Sequence, residues 1–239
     1  MKYKNSILIG TLMAILIVLG SFFTTDLKIS EDVVNLNDNK VKTILIDPGH
    51  GGMDGGASAS DGTVEKHINL NIALELEKLL KESGYNVYLT RYEDTGLYSE
   101  NGTVRQKKNE DLNARCQLKK ETNCDLFVSI HLNKFKDASC KGAQVWYSNN
   151  PESEVISKIV QNNLKEDLDT NNKRQAKPAK DAYKVLRTND TMPGFIIECG
   201  FLSNNEDLSK LKDESYQKKV AQSLFKSIEY YYKNGTKSK

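Results

Sequence analysis

Cysteine and histidine are both scarce in this 239-residue chain: four of the first and three of the second. Cys116, Cys124, Cys140 and Cys199 form no C-x-x-C pair, which excludes a cysteine metal motif and a dithiol redox motif. An even count would allow disulfides in an exported protein, and four free thiols fit equally well, so pairing stays open. Neither sign of charge is in excess, with 34 Lys+Arg against 32 Asp+Glu. No basic stripe interleaved with aromatics exists, and nucleic acid is not expected as a partner. Glycines 49, 51, 55 and 56 do not fall in a G-x-G-x-x-G pattern, and no G-K-[ST] follows them, which argues against a nucleotide site. There is no internal repeat and no low-complexity tract.

Long apolar runs are limited to one. Ser6 to Phe23 (SILIGTLMAILIVLGSFF) carries no charge and follows the basic opening Met1-Lys2-Tyr3-Lys4. That order is the order of an export signal. The run is long for a cleaved signal and just long enough to span a bilayer. No A-x-A site ends it, and no cysteine follows to carry a lipid. Residues 1–25 are therefore expected to be a signal peptide or membrane anchor, and the only membrane contact. Residues 26–40 read as a polar linker. The remainder, residues 41–235, suits one globular domain outside the cytoplasm.

Strand and helix patterns alternate through that domain. Thr43 to Ile46, Asn86 to Thr90, Leu126 to Ile130, Ala143 to Tyr147 and Phe195 to Ile197 read as strands. His67 to Ser83, Asp111 to Lys120, Glu152 to Leu168 and about Glu214 to Tyr232 read as helices. In the first helix Ile68, Ile72, Leu76, Leu79 and Leu80 recur at the helical period, and Gly84 stops it. Asn171 to Lys180 is basic and irregular. The alternation predicts a single α/β domain with a mostly parallel or mixed central sheet and helices on both faces.

Three strands end in a residue able to do chemistry: His50, His131 and Glu198. Ligands of open α/β sheets bind at the carboxyl ends of the strands, so the three can converge there. Glu65 closes the glycine-rich loop that returns from His50 and stands at a helix start, which also suits a carboxylate structurally. Two imidazoles and one carboxylate form the ligand set of a catalytic zinc with a fourth position for water, whose pKa zinc lowers towards roughly 7. Glu198 then fits a general base that returns the proton to a leaving amine. This explains a strand that ends by presenting one imidazole among glycines: the strand fixes the ligand, and Gly49, Gly51 and Gly52 leave room around it. Asp47 either supports a ligand imidazole or caps a turn.

The segments ILIDPGHGGMDGGA (44–57), VEKHINLNIA (64–73), LTR (89–91), LNARCQLKKETNCDLFVSIHLN (112–133) and PGFIIECGFLSNNEDL (193–208) resemble, in order, those of the zinc-dependent N-acetylmuramoyl-L-alanine amidases of the amidase-3 type. The resemblance implies zinc ligands at His50, Glu65 and His131, a catalytic glutamate at Glu198, and cleavage of the amide between N-acetylmuramic acid and L-alanine of peptidoglycan. Arg115 and Asn133 fall in its segments near the site and are candidates for substrate binding. Cys199 should face away from Glu198 as buried packing, and His67 should lie at the helix surface. The size of the chain is similar to that of spore-cortex amidases, which remove stem peptides before muramic δ-lactam forms. A partner protein or the membrane segment is then expected to position the enzyme. The alternatives are a zinc peptidase acting within the stem and a non-enzymatic wall-binding or scaffold protein. The GFLSN segment opposes the first, and the four filled site positions oppose the second.

Overall fold

The computed structural model describes residues 40–234. The expected signal or anchor, and all but the last residue of the expected linker, lie outside the described residues. Six strands form one sheet: β1 (Thr43–Pro48), β2 (Asn86–Leu89), β3 (Leu126–Asn133), β4 (Gln144–Tyr147), β5 (Lys177–Pro178) and β6 (Gly194–Phe201). Their order is β2-β1-β3-β6-β4-β5. β2, β1, β3 and β6 run parallel, β4 pairs antiparallel with β6, and β5 lies parallel to β4 at the edge. The helices are α1 (Glu65–Glu82), α2 (Val104–Glu121), α3 (Pro151–Leu168), α4 (Lys184–Arg187), α5 (Asn205–Leu211) and α6 (Glu214–Asn234).

The mixed α/β sheet is the one the alternation predicts. β1, β3 and β6 are covered on both faces, which is why they read as unbroken apolar runs. Ile44, Ile46, Val128, Ile130 and Ile197 pack on one face with Ile72, Leu76 and Leu80 of α1, Ile156 and Val160 of α3, and Val220 and Leu224 of α6. Leu45, Phe127 and Ile196 point to the other face, towards Cys116 of α2 and Val185 and Leu186 of α4. Each of these fully buried aliphatic side chains contributes about 1.5–3 kcal/mol.

Three differences from the sequence reading have a clear physical reason. α2 begins at Val104 instead of Asp111, because Thr103 and Gln106 close a reciprocal capping box. It has no apolar stripe to announce it, since its buried residues are Arg115, Cys116 and Lys119. β3 and β6 run on past their apolar stretches, as main-chain pairing continues to His131 opposite Glu198 before the register shifts. Those two residues thus lie within strands. Finally, the basic stretch 171–180 contains β5, which pairs Lys177 with Trp146.

Candidate active site

β1 hands the chain to His50 through Pro48 and Gly49. His50 has a φ of 64°, in the left-handed region, which costs a non-glycine residue about 1–2 kcal/mol. The turn aims its ring across the end of β1. Nδ1 of His50 lies 3.0 Å from Asp54 Oδ2, and Nε2 lies 3.3 Å from Glu65 Oε1. Glu65 opens α1, but neither of its oxygens caps that helix. Oε2 accepts from the Ala57 N–H at 2.7 Å, and Oε1 accepts from the Leu132 N–H at 2.9 Å. Oε1 also lies 3.0 Å from Nδ1 of His131. The two imidazole rings meet edge to face, 4.9 Å between centroids. One ligand atom from each of His50, Glu65 and His131 falls within 4.8 Å of the others, and the group could hold a metal ion.

The glycines leave the room this requires. A Cβ on Gly49 would stand 2.2 Å from the His131 ring, and one on Gly56 would stand 2.5 Å from Glu65 Oε2. Electrostatics bind the group together. Burial opposes a charge on His50, but its bonds to Asp54 and Glu65 outweigh that and raise its pKa to about 9. Burial likewise opposes the charge on Glu65, and the two histidines overcome it and hold the carboxyl well below its ordinary range.

Glu198 stands beside this group on the sheet. It is 7% exposed, and its Oε2 is buried with no hydrogen-bond partner among the described residues. Burial raises its pKa, with His131 drawing it down and Glu65 adding to the rise. A buried carboxylate oxygen without a protein partner beside this group fits a residue that meets water, an ion or substrate. Cys199, one residue on, joins the opposite face of the sheet, and burial pushes its thiol pKa far up, which suits packing and not nucleophilic attack. Among the described residues all four cysteines are free.

Arg115 is 2% exposed, and its guanidinium is occupied by the protein itself. It bonds Asp47 Oδ1 at 2.5 Å, Asp111 Oδ2 at 2.6 Å, the Pro48 carbonyl at 3.1 Å and the His50 carbonyl at 2.7 Å. It therefore ties α2 to the turn that carries His50. Asp47 does not touch a ligand imidazole. It takes bonds from Arg115, Thr90 and Ser129, while Asp54 holds His50. Asn133 sits half-buried at the end of β3, its Oδ1 accepting from the Lys134 N–H. His67 is exposed on the first turn of α1. Sequence reasoning missed Asp54 and Lys108, whose Nζ lies 3.1 Å from Asp54 Oδ1. An aspartate four residues after the histidine was the available signal for the first, and Lys108, 54 residues further on, left none. It also missed Tyr183. With Gly49, His50, His131 and Lys108, Tyr183 lines a cavity of about 610 Å³ between α2 and α4. Burial, then Glu198, raises the pKa of its hydroxyl to about 12.

A group able to hold a metal, an unpartnered buried carboxylate and a cavity at the carboxyl ends of an α/β sheet equip a chain to hydrolyse an amide with metal assistance. Comparison with known proteins gives the particular bond. Residues 44–230 match the family of N-acetylmuramoyl-L-alanine amidases of the Amidase_3 type, and the chain belongs to it. It is 40% identical over 194 residues to the germination-specific N-acetylmuramoyl-L-alanine amidase of Bacillus subtilis, a match spanning 80% of each chain. The fold is similar to that of the CwlD amidase from Clostridioides difficile, solved in complex with the GerS lipoprotein: TM-score 0.78, 43% identity, 80% of this chain and 98% of that one. The amidase AmiC2 of Nostoc punctiforme is similar at TM-score 0.68 and 27% identity, over 81% of this chain and 98% of that one. The chain is an N-acetylmuramoyl-L-alanine amidase, and the scaffold reading is set aside.

Proposed function

We propose that the chain is a zinc enzyme, with His50, Glu65 and His131 holding the ion and Glu198 acting as general base and acid. The observation that carries this is the buried, unpartnered Oε2 of Glu198 beside a His-Glu-His group whose donors suit zinc. Bound zinc supplies Lewis acidity at the scissile carbonyl and acidifies the attacking water. Glu198 takes that water's proton on Oε2 and gives it to the departing nitrogen of L-alanine, so a single carboxyl serves both halves of the reaction. Asp54 accepts from Nδ1 of His50 and so turns Nε2 towards the ion. Arg115, gripping the Pro48 and His50 carbonyls, fixes the turn itself. Asn133, two residues after His131 at the end of β3, is the residue assigned to meet substrate.

The biological setting is part of the proposal. Similarity to a germination-specific amidase and to CwlD supports action on the spore cortex, removing stems before muramic lactam forms. That CwlD was solved with a lipoprotein supports a protein partner that positions or activates this chain. Export by residues 1–25 would place it outside the cytoplasm, against the peptidoglycan.

The test is mass spectrometry of purified peptidoglycan incubated with zinc and the chain from Asp26 onward. Free stems with an L-alanine amino terminus are expected, absent after chelation and absent with Glu198→Gln. Undiminished release after complete metal removal would sink the zinc assignment.

A further inference from the structure

The basic stretch 171–180 plays no part in the site described above, yet it is built with care. It follows α3 and forms, with the turn before β4, a groove of about 590 Å³ lined by Lys141, Lys173, Arg174 and Lys177. Asp169 is the only acidic residue in the lining. The frame is fixed from below. Asn172, 6% exposed, donates to the Ala143 carbonyl at 2.9 Å and accepts from the Arg174 N–H at 3.0 Å. Gln144, 2% exposed, donates to the Gln175 carbonyl. Three of the cations are partly engaged. Lys141 pairs with Glu206 at 2.6 Å, Arg174 lies 4.7 Å over the Phe201 ring, and Lys177 stands 5.9 Å from the centre of the Trp146 ring. Lys173 is exposed and has no partner among the described residues.

The groove adjoins the catalytic centre. Gln144, which holds its floor, is the direct partner of Glu198 in the β4–β6 pairing. Opposed residues of an antiparallel pair share a face and stand about 5 Å apart. An aromatic pair also links the two: Tyr183 lines the site cavity, and its ring lies 6.1 Å from Trp146, the ring beside Lys177. A stem peptide whose amide lies at Glu198 has a carboxylate at its far end. Three or four extended residues span roughly 10–14 Å, enough to cross one or two strands.

We propose that this groove binds the free carboxylates of the stem peptide being released, through Lys173 and Lys177 with Arg174 and Lys141 around them. The inference rests on the amidase activity and adds the direction of the substrate: peptide over β4 and β5, glycan away from them. Four cations on a rigid frame would recognise any regularly spaced anion, so phosphate polymers of the wall share the chemistry, and the experiment separates them.

Lys173→Glu/Lys177→Glu is compared with wild type and with Lys165→Glu, an exposed change on α3, after all three are shown to melt alike. The double change is expected to raise the half-saturating concentration of stem-bearing muropeptides about five-fold or more while turnover at saturation stays within about two-fold, as exposed charge pairs are each worth up to about 1 kcal/mol. Amidating the stem carboxylates should weaken wild type equally and leave the double variant unmoved, and Lys165→Glu should behave as wild type. Equal sensitivity of wild type and double variant to amidation would overturn the proposal. So would a loss that appears only on walls carrying phosphate polymers. Co-sedimentation of the Glu198→Gln chain with intact and carboxyl-amidated peptidoglycan reads binding without turnover. It therefore tests the groove even if no stem is released, a result that would count against the activity instead.

Discussion

His131 and Glu198 are direct partners across the parallel β3–β6 pairing, on the face that α2 covers. A candidate metal ligand and the proposed general base are thus set by the same main-chain bonds, one strand apart. Glu198→Gln keeps the shape and removes the proton carrier. Turnover should fall by roughly 10²–10⁴-fold, with zinc content unchanged. His131→Ala should lose both. Stem release measured beside metal analysis distinguishes them, and near-normal hydrolysis by Glu198→Gln would remove it from the mechanism.

Asp54 holds Nδ1 of His50 and is itself held by Lys108. Asp54→Asn should weaken zinc binding by about 10–100-fold, since a ligand imidazole that loses its supporting carboxylate loses orientation and basicity. Lys108→Met should act in the same direction and less strongly. Competition against a chromophoric chelator gives both numbers. An unchanged affinity in Asp54→Asn would show that the bond does not orient the ring.

The raised pKa of His50, about 9 against an ordinary 6.5, has a definite sign. Its proton stabilises the metal-free fold fully below pH 6.5, and that contribution is lost as pH rises through 9. An ion at Nε2 must displace the proton. Zinc loading at pH 7.5 should therefore release about one proton from His50, and affinity should rise about ten-fold per unit up to pH 9. Titration calorimetry in buffers of different ionisation heat measures the release. A binding heat independent of buffer would contradict it.

Gly49→Ala would drive a methyl into the His131 ring, where the gap is 2.2 Å. The ring cannot yield without leaving Glu65, so zinc and activity should both be lost. Gly194→Ala meets Phe127 at an ordinary 3.5 Å and should be close to neutral. The pair of variants separates crowding at the site from general intolerance of glycine replacement.

Arg115→Met removes one partner of a buried ion pair, with Asp47 1% exposed and left uncompensated. The cost should be about 3–5 kcal/mol in urea unfolding. Asp47→Asn combined with Arg115→Met should recover part of it. If the double change were as unstable as the sum of the singles, the two residues would not be coupled.

Much of this molecule could be read from its sequence. Ile44 to Ile46 and Leu126 to Ile130 are apolar because both faces of the sheet are covered, and that alone predicts the layered fold. His50, His131 and Glu198 could be gathered because strand ends of a parallel sheet converge. The role of Arg115 could not. A charged residue buried on a polar helix looks like a surface residue until its partner Asp47, 68 positions away, is known. Sequence alone misses Asp54 and leaves Asp47 between two roles for a similar reason, since both flank His50 and only the turn decides which reaches its ring. β5 was invisible because two residues carry no period.

Glu65 is gripped by the main chain at Ala57 and Leu132 through bonds that need no metal. One side chain thereby joins the glycine loop, the first turn of α1 and the end of β3. The consequence is reversibility. On the proposed mechanism, stripping the ion should withdraw activity without dismantling the place it returns to, and resupply should restore hydrolysis with no refolding.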